Sequence, residues 1–188
     1  HLATGRDESP KPGDLCFANT AVHLIATPSM ALAAAAEIAR GAGYSVEFLG
    51  DAIEGEARAV AQDHARLAQA AAPGTIILSG GELTVTLAGD GRGGPNTEYA
   101  LALALALDGV AGIHAMACDT DGIDGSEDNA GARIGPDTLT RAAAAGANPS
   151  AALDGNDSHS VFAAIDDLVM TGPTHTNVND FRVILIER

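Results

Sequence analysis

A glycine-rich stretch in the middle of the chain has the residue types that bind anions through the backbone. Four glycines lie within six residues: Gly89, Gly91, Gly93 and Gly94. Glycine allows the backbone to approach a ligand closely, and the guanidinium of Arg92 between them matches phosphate or carboxylate. The stretch leads into a predicted helix, with Asn96 as the N-cap and Glu98 in the first turn. Because the amino-terminal N–H groups of a helix attract anions, we predict an anion site here.

The same glycines also fit a nucleotide-binding pattern, and this alternative stays open. Gly89, Gly91 and Gly94 satisfy G-x-G-x-x-G, which is typical of dinucleotide folds. The next candidate acid, Asp119, lies 25 residues after Gly94, later than the usual spacing of about 20. No Lys-Ser/Thr pair follows the glycines, so a P-loop is excluded. A glycine-rich hairpin corner without a ligand is the second alternative.

An acidic loop follows a predicted strand. Residues 119–128 contain five carboxylates: Asp119, Asp121, Asp124, Glu127 and Asp128. The carboxyl end of a strand is where open α/β sheets place ligands. We therefore predict Asp119 and Asp121 as Mg²⁺ ligands or general bases. Ile123 stands where a calcium loop needs a ligand, and a solvated acidic turn is the alternative for the later carboxylates.

A third polar loop, residues 171–180, lies between two predicted strands. Its short hydroxyl and amide side chains include Thr174, Thr176 and Asn177. Such groups hydrogen-bond phosphates and polyols. They also form simple Asx and Ser/Thr turns, which is the competing interpretation.

The alternation of predicted strands and helices along the chain indicates the fold that positions these loops. The predicted strands are Ala21–Ala26, Tyr44–Leu49, Thr75–Leu78, Gly112–Cys118, Leu168–Met170 and Phe181–Ile186. Thr27 and Pro28 predict the start of a first helix, and Asp51 with Glu54 resembles a capping box for a second helix. Alternating strands and helices imply parallel pairing. Tyr99–Leu107 is predicted as a helix that is apolar on all sides and therefore buried.

Length and composition set limits on the class of protein. The chain has 188 residues and a net charge of −15, which argues against binding to nucleic acid. We predict a leader at residues 1–20 and one α/β domain at residues 21–188, a three-layer sandwich around a mixed, mostly parallel sheet. No apolar run near 18 residues is present, so no membrane partner is expected. Cys16 and Cys118 match no zinc or redox spacing, which favours a cytoplasmic location.

The polar segments together resemble one family. They are Gly80-Gly81-Glu82, the loop from Gly91 to Glu98, Asp119–Gly125 with Asn129-Ala130-Gly131, and Thr171–Asp180. In this order they resemble the carboxyl-terminal half of the type II glycerate kinases, the region called the MOFRL domain, over about residues 75–188. Relatives in that family are often labelled hydroxypyruvate reductases, as in tartrate-utilisation operons.

The resemblance implies phosphoryl transfer from ATP to D-glycerate with Mg²⁺, giving 2-phosphoglycerate in a cleft between two domains. It implies that the amino-terminal domain with its catalytic lysine is absent here, so that the isolated chain is inactive. The catalytic residues would be Arg92, Asp119 and Asp121, with Asp119 and Asp121 on Mg²⁺. The binding residues would be Gly80, Gly81, Glu82, Gly91, Gly93, Gly94, Asn96, Glu98, Thr120, Gly122, Thr174, Thr176 and Asn177.

One departure from the family pattern concerns the anion site. Many members have Gly-Gly-Arg-Asn-Gln-Glu where this chain has Pro95 and Thr97, and Arg92 is close enough to replace the missing arginine. Two other functions stay open, an NAD(P)H-dependent hydroxypyruvate reductase and a non-catalytic half that only binds substrate. The oligomeric state is also left open by the sequence.

Overall fold

A computed structural model describes residues 9–188 and contains one six-stranded sheet in the order β1-β2-β6-β3-β4-β5. The strands are β1 (Ser45–Glu56), β2 (Thr75–Thr84), β3 (Ile113–Asp119), β4 (Gly131–Ile134), β5 (Leu168–Val169) and β6 (Asp180–Ile186). The helices are α1 (Pro28–Gly41), α2 (Ala57–Ala70), α3 (Pro95–Leu107), α4 (Thr138–Ala144), α5 (Pro149–Asp154) and α6 (Ser158–Ala164). Helix α1 packs on one face of the sheet and α3 on the other, so the mixed α/β class is confirmed.

The prediction of a mostly parallel sheet is wrong. Only β1 and β2 pair in parallel, and the other four pairings are antiparallel. Two of the four arise because β6 enters between β2 and β3 in the opposite direction and separates two strands that point the same way, and the other two are the pairings of β4 with β3 and β5. The short strand β4 also escaped prediction, because its four residues show no periodicity of their own.

The first predicted strand, Ala21–Ala26, does not form. Within it, Val22, Leu24 and Ile25 are 83%, 82% and 88% exposed, so the apolar pattern has no partner strand among the described residues. Of the predicted leader, residues 1–8 lie outside the described residues, and the next part contains a 3-10 turn at Leu15–Phe17. The boundary between leader and domain stays a prediction.

Helix α1 begins as predicted, whereas α2 begins later. The Thr27 Oγ1 accepts a hydrogen bond from Met30 N at 3.2 Å and caps α1, with Pro28 at its first position. Asp51 and Glu54 form no capping box, because β1 continues through them to Glu56 and stays paired with β2. Pairing with a neighbouring strand thus overrode the local capping signal.

Helix α3 lies at the centre of the molecule. Its alternating Ala and Leu residues are buried on all sides, as predicted. It packs against α2, the inner face of the sheet and the short helices α5 and α6. The glycine loop before this helix is thereby fixed at the end of the sheet where β2 and β3 terminate. No helix in residues 9–188 is both long and apolar enough to cross a membrane.

Candidate active site

The amino-terminus of α3 is held by the acidic loop. Asp124 accepts hydrogen bonds from Asn96 N at 2.9 Å and Thr97 N at 2.8 Å. Burial raises the pKa of Asp124, although these two backbone bonds favour its charged form. Gly94 and not Asn96 is the N-cap. The helix end predicted to bind an external anion is therefore already occupied by a carboxylate of the chain itself.

The glycine loop packs tightly against its own chain. A Cβ atom at Gly89 or Gly91 would lie 2.5 Å from the oxygen of Gly155, and one at Gly94 would lie 2.4 Å from the carbonyl carbon of Asp124. The buried Asn156 Oδ1 accepts hydrogen bonds from the N–H groups of residues 88 and 89 at 2.7 and 3.1 Å. These glycines, and Gly93 beside Ser158, are thus required by close packing within the protein.

Arg92 projects from the glycine loop and pairs with the acidic loop. Its Nη2 donates to Glu127 Oε2. This contact raises the pKa of the Arg92 guanidinium and lowers that of the Glu127 carboxyl. The Arg92 side chain is largely exposed and lines neither of the two clefts that the loops form.

The acidic loop and the third polar loop are also joined. Thr174 N donates to Asp121 O at 3.0 Å, and the Thr174 hydroxyl donates to Thr120 O. Asn177 Nδ2 donates to Asp121 Oδ2 at 3.3 Å, while Asp121 Oδ1 accepts from Ile123 N at 2.9 Å. Both oxygens of Asp121 are therefore used in holding the loops together.

The remaining predicted residues of these loops serve the same junction. Thr176 N donates to the Thr174 hydroxyl oxygen at 3.4 Å. Gly122 has a φ of +98°, and a Cβ atom there would lie 2.1 Å from Gly172 O. The Thr120 hydroxyl donates to Asn179 O at 2.8 Å. Together these contacts join the acidic loop and the third polar loop into one polar surface, which we call the rim.

Asp119 and Asp180 lie at the floor of an acidic cleft of about 250 Å³. They are directly paired at the ends of β3 and β6. Burial raises the pKa of Asp119 to about 6, with the nearby carboxylates adding to the shift and Asp121 N opposing it. Burial also raises the pKa of Asp180. Asn96 Nδ2 donates to Asp180 Oδ1 at 2.8 Å, whereas Asn96 Oδ1 is buried without a hydrogen-bond partner.

The residues Gly80, Gly81 and Glu82, expected to bind substrate or nucleotide, belong to strand β2. Gly81 has a φ of +114°, and a Cβ atom would lie 2.2 Å from the backbone of Ile53 in β1. The two glycines thus allow β1 and β2 to pack closely. Only Glu82 lines the acidic cleft.

A second cleft of about 360 Å³ adjoins the first and is mostly apolar. The two share Leu83, Pro95 and Gly125 in their walls. Glu98 lines the second cleft, and its Oε1 accepts from Arg58 Nε at 2.6 Å and Asn156 Nδ2 at 3.1 Å. Burial raises the pKa of Glu98 despite these donors.

Sequence reasoning missed three residues that shape the site. Asp124 caps α3, Asp180 faces Asp119, and Asn156 anchors the glycine loop. Asp180 stood within a polar motif, so its strand-end position could have identified it. Asn156 has a φ of +56°, a conformation in which Asn is enriched, but its partner is 67 residues away in sequence.

The donor set at the floor of the acidic cleft suits a magnesium ion. In residues 9–188, no group of three or more His, Cys, Asp or Glu side chains is arranged to hold a metal. Mg²⁺ takes only one or two protein carboxylates when substrate phosphates and water complete its shell. Asp119, Asp180 and the unpartnered Asn96 Oδ1 supply oxygen atoms of the required kind.

Comparison with known proteins places this arrangement in a family. The family model described as "MOFRL family" matches residues 75–180, which contain the three polar loops. The chain belongs to the MOFRL family. The family resemblance stated from the sequence motifs is confirmed.

Two relatives with different names show how far the similarity extends. A protein of Agrobacterium vitis, provisionally named hydroxypyruvate reductase, is 51% identical over 96% of this chain and 42% of its own length. The D-glycerate 2-kinase of Thermotoga maritima is 33% identical over 95% of this chain and 44% of its own length. The crystal structure of the Thermotoga glycerate kinase superposes with a TM-score of 0.84 over 88% of this chain and 42% of that chain. The chain therefore spans less than half the length of these relatives.

Proposed function

We propose that this chain is the carboxyl-terminal half of an ATP-dependent glycerate kinase, which transfers the γ-phosphoryl group to D-glycerate and gives 2-phosphoglycerate. The observation that carries the proposal is the paired carboxylates Asp119 and Asp180, which lie in a cleft lined by the acidic loop and the first turn of α3, beside the junction of the three polar loops. Phosphoryl transfer requires mainly positioning and neutralisation of charge. Similarity to a D-glycerate 2-kinase supports the choice of substrate.

The cleft residues divide the tasks as follows. Asp119, Asp180 and Asn96 Oδ1 would hold Mg²⁺, and Asp121 fixes the backbone around them because both its oxygens are engaged. When bound, Mg²⁺ supplies neutralisation of the charge that develops on the phosphates. This assignment moves the second metal ligand from Asp121, as the sequence suggested, to Asp180.

The remaining loop residues would orient the substrate indirectly, because they hold the acidic loop in position. Thr174 and Asn177 hold the acidic loop in place, and Thr176 and Thr120 complete the same rim. Arg92 lies outside both clefts, where its guanidinium, paired with Glu127, would attract the anionic substrate towards the site. The missing amino-terminal domain would form the opposite wall, so we expect this chain alone to be inactive and the intact protein to be cytoplasmic.

The test is release of ADP by the intact protein with D-glycerate, followed by NMR identification of the phosphorylated hydroxyl. Asp119→Asn keeps an acceptor for Asp121 N and should lower kcat by about 10³-fold, in the range found for electrostatic groups that act in the transition state. Arg92→Ala should lower kcat/KM at least tenfold, with the exposed Arg40→Ala as the matched control. Unchanged catalytic efficiency in Arg92→Ala would contradict its role at the anion.

Reduction of hydroxypyruvate by NAD(P)H is the second candidate. The name carried by the Agrobacterium relative favours it. Loss of NADH absorbance in the presence of hydroxypyruvate, without ADP release from ATP and glycerate, would establish the reductase and reject the kinase. Binding of glycerate without either reaction in the intact protein would instead identify a non-catalytic substrate-binding half.

A further inference from the structure

The apolar cleft beside the acidic cleft is a built ligand site that the transfer reaction as described so far does not use. Its volume of about 360 Å³ lies within the range of small-molecule pockets. The side chains of Leu83, Val85, Leu87 and Pro95 form its apolar wall, and the glycine loop supplies backbone on the other side.

Glu98 places one hydrogen-bond acceptor in this apolar wall. Its side chain is 2% exposed, and Oε1 is engaged by Arg58 and Asn156. The other oxygen, Oε2, accepts no hydrogen bond from the described part of the chain. An ionised oxygen next to an apolar cleft is costly unless a donor meets it. The cleft therefore suits an apolar group that carries an N–H donor at its edge.

The two adjoining clefts have opposite chemistry, and one ligand matches both. The acidic cleft offers carboxylates for a metal and its phosphates, and the apolar cleft offers hydrophobic contact with one acceptor. We infer that the apolar cleft takes the adenine base of ATP, with the exocyclic amino group donating to Glu98. The inference rests on the proposed function and deepens it by assigning the nucleotide to this half of the protein. Guanine has a carbonyl oxygen at that edge, which the Glu98 carboxylate repels.

The first test separates contacts to the base from contacts to the phosphates. Titration calorimetry on this chain compares Mg·ATP with Mg·tripolyphosphate, which has no base. Leu87→Asn removes apolar surface from the cleft without adding charge, and Leu87 is 78% exposed, so the fold should tolerate the change. We expect the Kd for Mg·ATP to rise about tenfold, equivalent to about 1.4 kcal/mol, with no change for tripolyphosphate. Ile38→Asn, at a site on α1 that is 75% exposed, is the matched control and should change neither Kd.

The second test addresses the base edge. Glu98→Gln keeps the size of the side chain and adds an N–H donor that can meet the guanine carbonyl. We expect the preference for Mg·ATP over Mg·GTP to fall at least tenfold. Thermal unfolding verifies that the variant is folded, and a failure to fold would leave Leu87→Asn to decide.

The outcomes distinguish this inference from the proposed function. Equal effects of Leu87→Asn on ATP and tripolyphosphate, or an unchanged preference over GTP in folded Glu98→Gln, would overturn the base assignment. If this chain does not bind Mg·ATP while the intact protein phosphorylates glycerate, the base lies elsewhere and the kinase proposal stands. If the intact protein does not phosphorylate glycerate, the proposed function itself fails.

Discussion

The two faces of the sheet differ in how they treat polar groups. Strand β6 presents Asp180, Arg182 and Ile184 to the inner face and apolar side chains to the outer face. On the inner face, Tyr99 OH shares a hydrogen bond of 2.8 Å with His64 Nδ1, and Arg182 lies 5.7 Å from the centre of the Tyr99 ring. On the outer face, α1 packs against apolar residues of the sheet.

This difference shows that the buried charged side chains of the fold lie on the inner face of the sheet, next to the candidate site. The inner face is covered by α2 and α3, so its buried charges are constrained by packing and reach the floor of the acidic cleft through Asp180. Arg182 is 1% exposed, and its Nε and Nη2 have no hydrogen-bond partner. The outer face has an open apolar cleft of about 320 Å³ between α1 and strands β2 and β6. The clefts on the inner side, in contrast, have buried carboxylates in their walls.

The largest effect should come from breaking the cap that joins the rim to the inner face. Asp124→Ala leaves two backbone N–H groups of α3 buried without an acceptor. Charge-assisted bonds contribute about 1.5–3 kcal/mol each, so we expect the free energy of unfolding to fall by about 4 kcal/mol in urea denaturation. Asp128→Ala, at an exposed site in the same loop, should change it by less than about 0.5 kcal/mol. Similar losses for both variants would contradict the role of Asp124.

Two adjacent residues of β6 compare the faces directly. Ile184→Ala opens a cavity in the inner core and should cost about 3 kcal/mol. Val183→Ala, on the half-open outer face, should cost about 1 kcal/mol, because less surface is buried there. Both are measured by the shift of the urea midpoint with an unchanged m-value. Equal losses would show that the two faces are packed alike.

The pH dependence of stability should report on the inner face. Burial lowers the pKa of His64 to about 4, with Arg182 lowering it further and Asp63 opposing. The unfolded chain therefore binds the proton first, near pH 6.5, and the folded state loses stability as the pH falls from about 6.5 to 4. We expect His64→Gln to remove about 2 kcal/mol of this dependence.

Urea denaturation at several pH values provides the measurement for His64. The same substitution at the exposed His23 is the control and should leave the dependence unchanged. A pH dependence that persists in full after His64→Gln would assign it to other groups on the inner face.

Local signals predicted the elements that they alone determine. Thr27 and Pro28 start α1, and the Ala and Leu residues of α3 mark a buried helix. Local signals failed where the structure of a segment depends on pairing with a strand that is distant in sequence. Asp51 lies in a strand because β2 pairs beside it, and residues 21–26 are exposed because no described strand pairs with them.

The candidate site shows the same limit. The sequence identified all three polar loops, and the structure brings them together. The sequence did not reveal that close packing against Gly155 requires glycine at positions 89 and 91, or that Asp124 caps the amino-terminus of α3. The Asp124 contacts join residues that are 27 and 28 positions apart in sequence, and the glycine contacts join residues that are farther apart. No local sequence pattern predicts such contacts.

The burial of α3 limits which amino-acid substitutions this protein can accept during evolution. A helix with one solvent-exposed face tolerates substitutions on that face, whereas α3 is packed against other parts of the protein on every side. Each residue added to or enlarged in this helix would press on the sheet, on a neighbouring helix or on a loop of the rim. Divergence should therefore spare this segment, and new substrate preferences should arise in the glycine loop that precedes it.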